Sequence, residues 1–231
     1  MRRPLVFLLS AVLGICLFSS LGALAAEESP IRLEKFKAPK IEGAVNTDGK
    51  TTEAMWSKAT VIKIPRRMNE KSPGSTNDVS GEARVFWNDD GVYVAINVTD
   101  RKQFFVPEDE RLDEYDSVEL WLGKLWITAG LNANNEAQAR VINLVDMIPL
   151  PDGAVRVGAS KSSTAYVIEI AIAKDYVQLF KGESLQQGSE LEMAFGINNR
   201  YNKDDKANSS HYYPFMYFWN ANESYALVEL Q

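Results

Sequence analysis

The 231 residues carry 45% hydrophobic, 24% charged and 10% aromatic side chains, a balance that supports a buried core and excludes a disordered chain. With 14 Gly, 9 Pro and no low-complexity tract, collagen-like and linker-dominated chains are also excluded, and a single long apolar run excludes a multispan membrane protein. The only cysteine, Cys16, lies inside that run, so the rest of the chain has neither disulfides nor thiolate metal ligands.

The run comes first in chain order. Arg2 and Arg3 precede the apolar stretch Leu5–Leu24, and Ala23-Leu24-Ala25 supplies the small residues of a signal-peptidase site. Residues 1–25 are therefore expected to be a cleaved signal peptide, with the mature protein secreted or periplasmic and free of any membrane span. Bulky Ile15 before Cys16 argues against a lipoprotein site. Cleavage leaves 23 basic against 31 acidic residues, a net charge of −8, which makes nucleic acid an improbable partner. Residues 26–37 read as an N-terminal extension and 38–231 as one domain.

From Ile41 onward, short β-branched and aromatic stretches alternate with Gly, Asn, Asp and Pro clusters. Strands are expected at Arg84–Trp87, Tyr93–Thr99, Ser117–Leu122, Ala139–Val145, Val155–Gly158, Tyr166–Ile172, Leu191–Ile197 and Tyr225–Leu230, with Asn88-Asp89-Asp90-Gly91 turning the first two into a hairpin. The fold class is all-β, an antiparallel, jelly-roll-like β-sandwich with one or two short helices, at Thr52–Ala59 and Lys174–Phe180. Pro65–Ser80 and Tyr201–His211 read as loops. No internal repeat is visible. Alternation places Val118, Leu120 and Leu122 on a core face and Ser117, Glu119 and Trp121 opposite, either a ligand surface or ordinary sheet exterior. Between Ala139 and Val145 both faces read as half-buried, so Arg140 would need a partner.

An ordered series of segments carries a resemblance. It runs through Pro39-Lys40-Ile41-Glu42-Gly43, Glu53-Ala54-Met55-Trp56, Ala83-Arg84-Val85-Phe86-Trp87 and Gly91-Val92-Tyr93-Val94-Ala95. It continues with Tyr115-Asp116-Ser117-Val118-Glu119-Leu120, Gln138-Ala139-Arg140, Tyr166-Val167-Ile168-Glu169-Ile170-Ala171-Ile172 and Trp219. In that order the segments resemble the family 9 carbohydrate-binding modules, over about residues 38 to 231. The resemblance implies a β-sandwich that binds oligosaccharide or polysaccharide, often at the reducing ends of plant polysaccharide chains. Sugars would sit between two tryptophans with charged residues at the rim, and calcium would support the loops.

Carried over by position, Glu119 is similar to the carboxylate that accepts sugar hydroxyls, Arg140 to its basic partner and Trp219 to one stacking aromatic, with Asn198 a polar side chain of the site. The second family tryptophan lies six residues before the carboxylate, where this chain has Asp113; Tyr115 or Trp121 are the substitutes at hand. Such a site suits a pyranose, whose C–H face stacks on an indole while its hydroxyls need fixed donors and acceptors. The bland alternative is an ion pair between Glu119 and Arg140, with Trp219 plugging one end of the sandwich. Trp56, Trp87 and Trp126 read as core or edge packing.

Asp109, Glu110, Asp113, Glu114, Asp116 and Glu119 form an acidic cluster of hard oxygen ligands without EF-hand spacing. Asp113 and Asp116 are its candidates for structural calcium, against a solvated acidic loop. Asp89, Asp90 and Asp100 read as turn residues. No organic cofactor is expected. Nothing marks one carboxyl as the raised-pKa acid of a glycosidase pair, and single His211 leaves neither a multi-histidine zinc site nor a Ser-His-Asp triad. Two other classes remain open. One is a haem-binding electron-transfer sandwich using His211 with Met147, Met193 or Met216. The other is a sandwich that only docks a protein partner.

Overall fold

Alternating apolar residues become strands when two such faces can close on each other. A computed structural model of the chain describes residues 34–64, 79–107, 110–145, 147, 149–179, 182–200, 202–204, 209–213 and 225–231, all within the compact unit Arg32–Gln231. Its strands are β1 (Lys35–Ala38), β2 (Thr60–Ile64), β3 (Ser80–Asn88), β4 (Gly91–Thr99), β5 (Ser117–Leu122) and β6 (Leu125–Leu131). They continue with β7 (Ala137–Asn143), β8 (Val155–Lys161), β9 (Ala165–Ala173), β10 (Glu190–Asn199), β11 (Ser209–Tyr213) and β12 (Ala226–Leu230). Seven form one sheet in the order β1-β12-β10-β5-β6-β7, with β11 also on β10; five form the other, β2-β3-β4-β9-β8. The pairings are antiparallel except β1 with β12. This is the expected sandwich, and its first strand starts at Lys35, inside the stretch read as an extension.

The core lies between the sheets. Val118, Leu120 and Leu122 of β5 meet Val94 and Ile96 of β4 and Ile168 and Ile170 of β9 in one buried cluster. Each large apolar side chain so buried contributes on the order of 1.5–3 kcal/mol. The hairpin at Asn88–Gly91 forms as expected, with Asn88 Oδ1 accepting the N–H groups of Asp90 and Gly91 at 2.9 and 3.2 Å. Four strands escaped the sequence reading: β1, β2, β6 and β11. The last overlaps the expected loop Tyr201–His211, because β10 is long enough to seat β12 along its first half and β11 along its second. Of the expected loop Pro65–Ser80, Ser80 opens β3 and residues 65–78 lie outside the described residues.

Neither expected helix forms as such. Thr52–Ala59 is a run of turns, closed by Trp56 N–H to Glu53 O and Lys58 N–H to Met55 O, both 3.0 Å. Of the second stretch only a single 3₁₀ turn forms, Lys174–Tyr176, with Phe180 outside the described residues. The 41–59 segment instead covers the outer face of the five-stranded sheet. Trp56 meets Phe86 edge-on at 4.9 Å, and Phe86 stacks on Tyr93 at 5.0 Å.

A carboxylate fastens this cover. Glu169 Oε2 on β9 accepts the N–H groups of Asp48 and Gly49 at 2.9 and 2.7 Å. The close approach demands glycine: a Cβ on Gly158 would stand 2.3 Å from Thr47 O, and one on Gly49, at φ 79°, would stand 2.1 Å from Ala159 C. Glu169→Ala is expected to lower the unfolding free energy by about 2–4 kcal/mol, since it orphans two charge-assisted bonds. Denaturant titration checks this, and a loss under about 0.5 kcal/mol would show the cover to be held by its aromatics alone.

Candidate functional site

Antiparallel register aligns side chains in rows across a sheet. On the outer face of the seven-stranded sheet, Gly196, Glu119, Thr128 and Arg140 form one such row over β10, β5, β6 and β7. Asn198, Ser117, Gly130 and Gln138 form the row on one side, and Ala194, Trp121, Trp126 and Ile142 the row on the other. The structure thus brings together Glu119, Arg140, Asn198 and Trp121, which the sequence places up to 79 positions apart.

Part of this face is roofed. The 3₁₀ turn Leu112–Glu114 lies over β6 at Gly130, where a Cβ would come within 3.1 Å of Leu112 Cδ1 and 3.2 Å of Asp116 O. Ser117, Glu119 and Trp121 are buried, Glu119 at 5% and Trp121 at 7% exposure, neither open ligand surface nor ordinary exterior. Asn198 Nδ2 donates to Glu119 Oε1 at 2.9 Å and to Ser117 Oγ at 3.2 Å. Burial pushes the Glu119 carboxyl up to about 7; Asn198 opposes the shift and the Asp113 carboxylate adds to it.

Beside the roof opens a cavity of about 670 Å³, lined by Glu110, Arg111, Leu112, Asp113, Trp126, Gln138, Ala139 and Arg140. Arg140 stands exposed in its wall and, among the described residues, makes no ion pair with Glu119. The buried partner expected for it is not needed because β7 ends at Asn143 and lies at the sheet edge. Asp113 is gripped by Arg111 through contacts of 2.5 and 3.2 Å. Tyr115 is buried in the roof, with the Arg200 guanidinium 4.0 Å above its ring and its hydroxyl donating to Glu110. Trp219 lies outside the described residues.

Trp126 and Arg111 escaped the sequence reading as site residues. Trp126 stacks on Trp121 at 5.7 Å and 8°. A signal for it was present, since Gly123-Lys124 between Leu122 and Leu125 spells a two-residue hairpin turn that puts Trp121 opposite Trp126. Trp56 and Trp87 are core residues, as expected.

The two carboxylates expected to hold calcium are engaged apart from each other. Asp113 pairs with Arg111, while fully buried Asp116 accepts N–H groups from Phe104 and, at 2.7 Å, from Arg200. Among the described residues no group of three acidic, histidine or cysteine side chains is placed to hold a metal ion. Burial, and then neighbouring Asp100, push the Asp116 carboxyl up to about 8. For the haem alternative, Met193 is packed in the core, Met147 is exposed, Met216 lies outside the described residues, and His211 falls opposite Ile197 in β11. Among the described residues no helix is long and apolar enough to cross a membrane.

The model of the carbohydrate family 9 binding domain-like family matches residues 47–226. The chain belongs to that family. Two solved family 9 modules from Caldicellulosiruptor kristjanssonii share its fold. The one in complex with glucose has 16% sequence identity, covers 86% of this chain and 96% of its own, and superposes with a TM-score of 0.62. The one in complex with cellotriose has 15% identity, covers 86% and 94%, and gives 0.61. No match was found among curated proteins.

Within this carbohydrate-module fold, Glu119 titrates in a dry site. The folded chain holds its proton more tightly than the unfolded chain, so the stability it contributes is complete below about pH 4.5 and is lost as pH rises towards 7. Thermal unfolding midpoints are expected to fall across that window, and Glu119→Gln should reduce the fall. An unchanged profile in the variant would show that this carboxyl does not titrate there.

Proposed function

We propose that this protein is an exported, non-catalytic binder of oligosaccharide or polysaccharide, with its site on the outer face of the seven-stranded sheet. The observation that carries the reading is the cavity of about 670 Å³ beside a row in which Glu119 and Arg140 face the same way across three strands. Asn198 holds one oxygen of Glu119, leaving the other to accept a sugar hydroxyl, and exposed Arg140 donates to a second. Trp219 supplies a stacking ring, as family membership implies. Trp121 and Tyr115 act from behind, one as backing for Trp126 and the other as part of the roof. The chain's relatives bound to glucose and cellotriose support a neutral sugar ligand. Arg2, Arg3 and the apolar stretch Leu5–Leu24 support export.

A protein contact is a second reading, supported by exposed Leu144, Val145 and Met147 just after β7.

Calorimetric titration with sugars tests the first reading. Glu119→Ala is expected to weaken binding more than about tenfold while the chain stays folded, because a buried charged acceptor is lost. Trp219→Ala should abolish binding, and affinity retained in both folded variants would sink the reading. Because the ionised carboxyl is the better acceptor, affinity should rise as pH passes upward through about 7, and Glu119→Gln should remove that rise. Chelator is expected to leave the affinity unchanged; a chelator-sensitive affinity would bring calcium into the site.

A further inference from the structure

Trp126 is half-buried, stacked on Trp121 on one side, and contributes with Gln138 and Arg140 to the wall of the cavity. Its Nε1–H is enclosed and finds no acceptor among the described residues. An orphaned buried donor costs about 1–3 kcal/mol, and phenylalanine or leucine would fill the space without that cost. The core residue Trp56 has an enclosed Nε1–H of the same kind, so it is the place of Trp126 in the cavity wall, not its N–H, that sets this indole apart. What an indole adds is a broad, electron-rich face for C–H groups.

The neighbouring loop offers no such face. Asp113 stands at its tip, closed into an ion pair with Arg111. The charges lining the cavity balance, Glu110 and Asp113 against Arg111 and Arg140, so the lining carries no net formal charge to favour an anionic or cationic ligand. The volume falls in the range of about 300–1,000 Å³ typical of sites for drug-sized molecules, which is roomier than one pyranose ring needs.

We infer that Trp126 is the stacking platform of this groove and that its ligand is an uncharged oligosaccharide of at least two sugar units. The inference rests on the carbohydrate reading of the same site and moves one platform from the loop to the sheet. The C–H face of one pyranose lies on Trp126 while Arg140 and Gln138 donate to its hydroxyls. The next unit lies against the Arg111–Asp113 pair, whose remaining donors and lone pairs meet its hydroxyls.

Titrations of the exported form with glucose, cellobiose, cellotriose and a trisaccharide of galacturonic acid test it. Wild type is expected to bind cellotriose at least about fivefold more tightly than glucose, and the uronide no more tightly than cellotriose. Trp126→Ala should lose about tenfold or more, and Trp126→Phe, which keeps a flat ring, less than about fivefold. A wild type that binds no sugar would overturn the carbohydrate reading and this inference together. Binding that survives in Trp126→Ala to within about twofold would overturn the platform and leave the carbohydrate reading standing. Equal affinity for glucose and cellotriose, or preference for the uronide, would overturn the ligand class. Should Trp126→Ala fail to fold, indole difference spectra on saturation decide. A reduced signal in Trp126→Phe supports the platform, and a signal equal to that of wild type overturns it.

Discussion

The outer face of the seven-stranded sheet depends on one buried carboxyl. Asp116 receives the Phe104 N–H from the loop after β4 and the Arg200 N–H from the end of β10. Those two bonds join segments on either side of β5 and hold the 3₁₀ turn Leu112–Glu114 over Gly130. Next to it Glu119 is buried, the turn forms one wall of the cavity, and every residue of β5 is buried.

Burial in turn decides the electrostatics. Glu119, Asp116 and Glu169 are carboxyls in dry surroundings, and in each burial is the largest reason that the proton is held more tightly than in water. The exposed rim behaves differently. Arg111 and Asp113 pair in solvent, where a contact of this kind contributes little to stability and serves mainly to fix geometry. The cavity therefore has a charged rim and a half-buried indole in its wall, while Glu119 lies nearly dry in the neighbouring strand.

The same device appears on the opposite sheet. Glu169 holds the 47–49 loop as Asp116 holds the roof, in both cases through two backbone N–H groups. Carboxylate oxygens suit this task because they accept from two donors at once without demanding a regular strand. The difference lies in what the covers leave open. The 41–59 segment packs Trp56 on Phe86 and buries it at 1% exposure, whereas the roof stops short of β7 and leaves Trp126, Gln138 and Arg140 facing the cavity.

Period-two patterning alone determined the all-β class, the core face of β5 and the Asn88–Gly91 hairpin, because these are local consequences of strand pleat and turn chemistry. The ordered segments around Asp116-Ser117-Val118-Glu119 and Arg140 were enough to point to the family, since they lie in the strands that build the site. Register across four strands decided the rest. It placed Arg140 in line with Glu119 but two strands away, put Trp126 beside Trp121, and seated Tyr115 under Arg200. No periodicity within a single strand records which strand lies next to it, or which loop folds back over its outer face. Whether a residue such as Glu119 is rim or floor was therefore settled only when the chain closed around it.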